Sequence, residues 1–187
     1  MSLRLVTPAS ATIVSLVEAK AHLRVFHDDE DIYIEGLISA AQDWMAGEKN
    51  WLGRSVCEQE WELTLSAFPV GKISLPKPPL ISVEAVFYTP TGGAETTLSG
   101  FRTFDVGVSD GGYILPAIGE AWPTANGEPD AVRIKFTAGY EEVPASIKHA
   151  ALLLIGHWFE HRETAAETKI TDLPMAVDAL LMPYRAF

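Results

Sequence analysis

The stretch Ser55-Val56-Cys57-Glu58-Gln59-Glu60-Trp61-Glu62-Leu63-Thr64-Leu65 decides the fold class. Cys57, Gln59, Trp61, Leu63 and Leu65 alternate with Val56, Glu58, Glu60, Glu62 and Thr64, the two-residue period of a strand with one apolar face and an acidic outer face. Upstream the period is helical. Ser15-Leu16-Val17-Glu18 is a capping box that opens a short helix over 15–24. The acids Asp28, Asp29, Glu30 and Asp31 then suit the positive end of a second helix over 29–48. Ile34, Leu37, Ile38, Ala41 and Met45 give that helix one buried stripe. The switch at Ser55 therefore separates a helical part from a β-rich one.

Downstream, short strands are punctuated by Gly and Pro. Ile73 and Leu75 precede Pro76, Pro78 and Pro79, which cannot donate to a ladder. Further strands are expected at 81–88, 95–98, 101–106, 112–115 and 131–137. Pro90-Thr91-Gly92-Gly93 supplies a turn, and 117–130 reads as a loop. Pro144 suits the first turn of a third helix reaching 162, with Ile147, Ala151, Leu154 and Trp158 on its inner face. Residues 163–171 form a weakly patterned link. Pro174 then leads into a last short helix that Pro183 stops. The expected architecture is α+β: a helical core from 1–54 and 143–187, with an antiparallel β-rich lobe inserted at 55–142.

A chain of 187 residues can bury roughly 70% of its unfolded surface and needs neither disulfide nor metal to fold. Cys57 is its single cysteine, so no internal disulfide framework exists. Leu3, Leu5 and Val6 are interrupted by Arg4 and Pro8, so no secretory leader is expected. The longest apolar run, Ala150 to Gly156, is far too short to span a bilayer. The net charge of −11, with 14 Lys and Arg residues scattered along the chain, is a poor footprint for gripping phosphates.

The sharpest enzymatic signal is His157-Trp158-Phe159-Glu160-His161, the H-x-x-E-H arrangement of one zinc hydrolase class. It places two histidines on one helical face with a Glu between them. A third ligand would have to come from Glu163, Glu167, Asp172 or Asp178, all near the chain end. Histidines in a last helical turn are favoured by the helix dipole alone. No metal, cofactor or catalytic residue is therefore assigned. The Asp28 to Asp31 run lacks the spacing and the central Gly of a calcium loop. Cys57 sits inside a strand pattern as a small hydrophobe. Glu58, Glu60 and Glu62 could mimic a glycosidase pair but read as a solvated face. Trp44, Trp51, Trp61 and Trp122 form no series that suggests sugar stacking.

Taken in order, several stretches resemble the head–tail connector (adaptor) family of long-tailed double-stranded-DNA phages and gene transfer agents, in the branch with a β-rich insertion. They are Val14 to Arg24 followed by Asp28 to Asp31, Gly53-Arg54, Leu75-Pro76-Lys77-Pro78-Pro79-Leu80 to Tyr88, Phe136 to Tyr140, His157 to Arg162, and Leu173 to Arg185. One departure is Asn50-Trp51-Leu52, where relatives tend to carry a small or hydroxylated residue. The resemblance implies a structural virion protein, not an enzyme, that forms a homo-oligomeric ring of about a dozen copies. The ring would join the portal to the next tail or stopper protein around a channel through which DNA passes without specific binding. It implies assembly in the host cytoplasm, residence in the virion, and no membrane. Another phage tail-assembly or virion protein is the alternative, and the zinc hydrolase a remote one.

The resemblance also implies portal engagement by the C-terminal part. Met175, Val177, Leu180, Leu181, Met182, Tyr184, Arg185 and Phe187 are the candidate interface. Their apolar density exceeds what a solvated tail needs, and so short a helix is unstable alone. The expectation is a docking element outside the monomer core, so that truncation after Ile170 leaves a folded chain.

Overall fold

A computed structural model describes residues 1–47, 51–162 and 175–186, which divide into two compact units. The first comprises Met1–Ser10 and Glu58–Glu141, with Ala186; the second comprises Ala11–Cys57 and Glu142–Arg185. The predicted link at 163–171 and the start of the last segment at Leu173 and Pro174 lie outside the described residues, as do Asn50 and Phe187.

The first unit is all antiparallel β. One sheet has the order β1 (Ser2–Thr7), β2 (Gln59–Leu65), β8 (Val132–Ala138), β4 (Leu80–Tyr88), β5 (Thr96–Thr97). The other has the order β3 (Ile73–Ser74), β7 (Tyr113–Pro116), β6 (Phe101–Phe104). The predicted alternation sets the register. Trp61 faces Phe136, Leu63 faces Ile134 and Leu65 faces Val132 across β2 and β8. On the other side of β8, Val83 faces Phe136 and Val86 faces Ile134. These side chains form one core with Ile73, Leu75, Leu80 and Ile114. At Gly112 the backbone runs so close to Leu80 that an added Cβ would lie 2.3 Å from its Cδ2, which explains a glycine there.

Two expectations are corrected here. Residues 1–10 do not join the helical part, because Leu3 and Leu5 pair as β1 with Leu63 and Trp61 and complete the five-stranded sheet. Strand β2 begins at Gln59, and Ser55, Val56 and Cys57 are buried in the helical unit instead.

The second unit holds α1 (Leu16–Leu23), α2 (Asp31–Ala46), α3 (Ala145–Glu160) and α4 (Met175–Leu181), followed by a 3₁₀ turn at Met182–Tyr184. The stripe of α2 is buried at Ile34, Ile38, Ala41 and Met45. That of α3 is buried at Ile147, Ala151 and Leu154, joined by Ala150 and Ile155, while Trp158 is half-buried. The two stripes pack together, and α1 lies against both helices.

The Ser15 capping box forms as expected. Ser15 Oγ accepts from Glu18 N at 3.2 Å, and Glu18 Oε2 accepts from Ser15 N at 2.7 Å. The bond from Ser15 N, and after it the Ser15 hydroxyl donating to Glu18 Oε2 at 2.7 Å, hold the Glu18 carboxyl below its ordinary pKa. Its stabilisation is therefore complete above the ordinary carboxyl range and is lost as pH falls through the depressed folded value. Ser15→Ala should cost about 1 kcal/mol in urea denaturation at neutral pH.

Candidate functional site

The predicted interface at the C-terminus begins with a seven-residue helix. A helix of that length cannot stand alone in water, and α4 is stabilised by packing on α3. Val177 and Leu181, one turn apart, are fully buried. This corrects the expectation that the segment stands outside the core, because two of its eight candidate residues belong to the interior of the helical unit. The other described candidates point outward to different degrees. Met175 is 87% exposed and Met182 56% exposed. Leu180 and Tyr184 are half-buried, and Arg185 is exposed. The Arg185 guanidinium lies 4.8 Å from the ring centroid of Trp51. Trp51 in turn stacks on Trp44 at 5.7 Å. This cation–π arrangement anchors the end of the described chain.

The histidine motif occupies the last turn of α3 and the residue after it. The His157 and His161 rings have centroids 4.7 Å apart. His161 Nδ1 lies 2.9 Å from the His157 carbonyl oxygen, so that nitrogen is spent as a donor to the helix end. Among the described residues no three or more metal-ligating side chains come together. Glu163, Glu167 and Asp172 lie outside the described residues. Next to the motif, Arg162 pairs with Glu30 and covers the rings of Tyr33 and Phe159, with centroid distances of 4.5 and 4.7 Å. This is an arrangement that closes a helix end. Replacing both His157 and His161 by Ala should change stability by no more than about 1 kcal/mol, as read by thermal unfolding.

The remaining enzymatic candidates have structural uses. Burial pushes the Cys57 thiol pKa up, which keeps it protonated and unreactive. Of the three acids predicted to share a solvated face, Glu58 and Glu60 are exposed, but Glu62 is buried at 4% exposure. Its two oxygens accept from Arg4 Nη2 at 2.9 Å and from Arg133 Nη1 at 3.1 Å. Arg133 also donates from Nη2 to both oxygens of Glu95, at 2.6 and 2.7 Å. Glu60 accepts from Thr7 Oγ1 at 2.5 Å. The carboxylates thus clamp neighbouring strands.

The sequence reading missed two features. Strand β1 offers only Leu3 and Leu5 as a periodic signal, and its partner lies 58 residues away at Glu62. The second feature is a corner between α1 and α2 where Phe26 is 91% exposed. A Phe between Val25 and His27 carries no signal of its direction.

Comparison with curated protein sequences gives no match. A family model described as head completion protein matches residues 12–187. Among solved structures, the chain is similar to one from the neck of an empty gene transfer agent particle computed with C6 symmetry, at 24% identity and a TM-score of 0.72. It is also similar to one from the virion of a native gene transfer agent particle, at 24% identity and a TM-score of 0.70. A third, from the neck of a native particle computed with C12 symmetry, gives 24% identity and a TM-score of 0.69. Each likeness covers 100% of this chain and 96% of the other, and it establishes a shared fold. The α+β fold and the family match agree with the head–tail connector resemblance drawn from the ordered motifs: the chain belongs to the head completion protein family and is a head–tail structural protein of phage type.

Proposed function

We propose that the protein assembles into a closed ring of about a dozen copies that joins the portal to the next tail or stopper component. In the virion this ring leaves an axial channel for DNA. The observation that carries this reading is the family match over residues 12–187. Likeness over the whole chain to neck structures, one of them computed with C12 symmetry, supports it. The work of such a protein is done at interfaces. The charge of −11 suits it, since an acidic surface repels the DNA that must slide past without sticking.

The portal-facing element in this reading is the outward side of the C-terminal segment: Met175, Leu180, Met182, Tyr184 and Arg185. Methionine is flexible and polarizable and fits a surface that must adapt to a partner. Val177 and Leu181 hold this surface in place from beneath. Mixed with its portal, the full chain should co-sediment with it. The Met175→Ser/Met182→Ser variant should keep its thermal stability and bind at least about tenfold more weakly. Undiminished binding by that variant would remove the segment from the interface.

A further inference from the structure

The corner between α1 and α2 is built to hold an aromatic side chain in water. Helix α1 ends at Arg24, whose φ of 58 is left-handed, a conformation that glycine adopts without strain and a side chain does not. Lys20 fixes the corner through ion pairs to Asp28 at 2.7 Å and Asp31 at 2.6 Å. Val25 N also donates to Lys20 O at 3.0 Å. Val25 points inward at 9% exposure, and Phe26 is thereby turned out at 91%; Ile32, six residues on at the start of α2, is 87% exposed. The result is an apolar knob on a fixed stretch of backbone, so the backbone part of the ordering cost is met before any partner arrives.

The same helical unit carries a groove of about 350 Å³ between the 12–16 segment and α2. Its apolar lining is Val14, Leu16 and Ile38, and Glu35, Ser39 and Gln42 supply the polar part. The wall is preformed. Gln42 accepts from Ile13 N at 3.0 Å through Oε1 and donates to Ala11 O at 3.3 Å through Nε2. Arg24 on the knob and Glu35 in the groove are of opposite charge, while the exposed acids Asp28 and Asp29 follow the knob. Arg24 and Glu35 are both exposed, and among the described residues neither has an ion pair or a side-chain hydrogen bond. On a chain of net charge −11, copies repel one another unless a cation is placed where they meet.

We infer that Phe26 of one copy seats in the Val14–Leu16–Ile38 groove of a second copy, with Arg24 facing Glu35. Knob and groove are different surfaces, so the contact is heterologous and propagates around a ring. The inference rests on the ring reading above and names the surface through which neighbouring copies touch.

Sedimentation velocity on the full chain over a concentration series tests it. Self-association of the natural chain should weaken at least about 30-fold in Phe26→Ser, the loss of a central aromatic anchor. Arg24→Glu should weaken it about tenfold, and the double exchange Arg24→Glu/Glu35→Arg should recover most of that loss. Circular dichroism and melting temperature should stay unchanged throughout, because all three side chains are exposed. Self-association that Phe26→Ser leaves intact would overturn the inference while the ring stands. Failure of the double exchange to rescue Arg24→Glu would remove the charge pairing. A natural chain that stays monomeric across the series would overturn self-docking, and the ring reading would then be judged on the portal-bound assembly alone. Loss of portal binding in Phe26→Ser, with self-association intact, would assign the knob to the portal instead.

Discussion

Leu181→Ala is expected to destabilise the helical unit by about 3 kcal/mol, although only six residues of the sequence follow it. Leu181 is fully buried, as is Val177 one turn earlier. Truncation to Ala removes buried methyl groups and leaves a cavity against α3, which a helix of seven residues cannot close by shifting without losing its remaining anchor. The neighbouring substitution Met182→Ala removes a comparable side chain that is 56% exposed and should fall within about 0.5 kcal/mol of the natural chain. Urea denaturation followed by far-ultraviolet circular dichroism separates the two. Truncation after Ile170, which the sequence alone presents as harmless, should unfold the helical unit or leave it molten. Equal, small effects from Leu181→Ala and Met182→Ala would return α4 to the status of a detachable tail.

The second large effect belongs to the β unit. Arg133→Met should cost about 3 kcal/mol, because it leaves a buried carboxylate with one partner fewer. Glu62 is 4% exposed, and its remaining cation would be Arg4, whose side chain is 69% exposed. The same substitution removes the three bonds from Arg133 to Glu95. Arg4→Ala should cost no more than about 1 kcal/mol, since an exposed cation is screened by water and salt. If the buried charge is the cause, Glu62→Leu combined with Arg133→Met should recover most of the loss. A double variant as unstable as Arg133→Met alone would show that packing, not charge, sets the cost.

These two effects mark where the sequence was and was not legible. Periodicity located the helices because their stripes are long: Ile34, Ile38, Ala41 and Met45 repeat over three turns of α2. It located β8 and β4 because both are rich in β-branched and aromatic residues between turn signals. The inward and outward faces of α4 could not be read in the same way. Two turns carry too few residues to fix which apolar positions meet α3, so Val177 and Leu181 looked no different from Met175 and Met182. Glu62 failed for another reason. In the alternation of β2 it is an outward acid, and its burial comes from arginines on the two flanking strands, one of them the unrecognised β1. The proposed docking surface was visible only as apolar density near the chain end. Phe26 left no trace, since a single aromatic in a turn has no period.

The central claim, a ring on the portal with an open axis, is tested most directly by electron microscopy of the full chain mixed with its portal. The account predicts a closed ring coaxial with the portal, about a dozen copies around, with an unobstructed central channel. Isolated copies scattered over the portal, or an assembly with no opening along its axis, would contradict it.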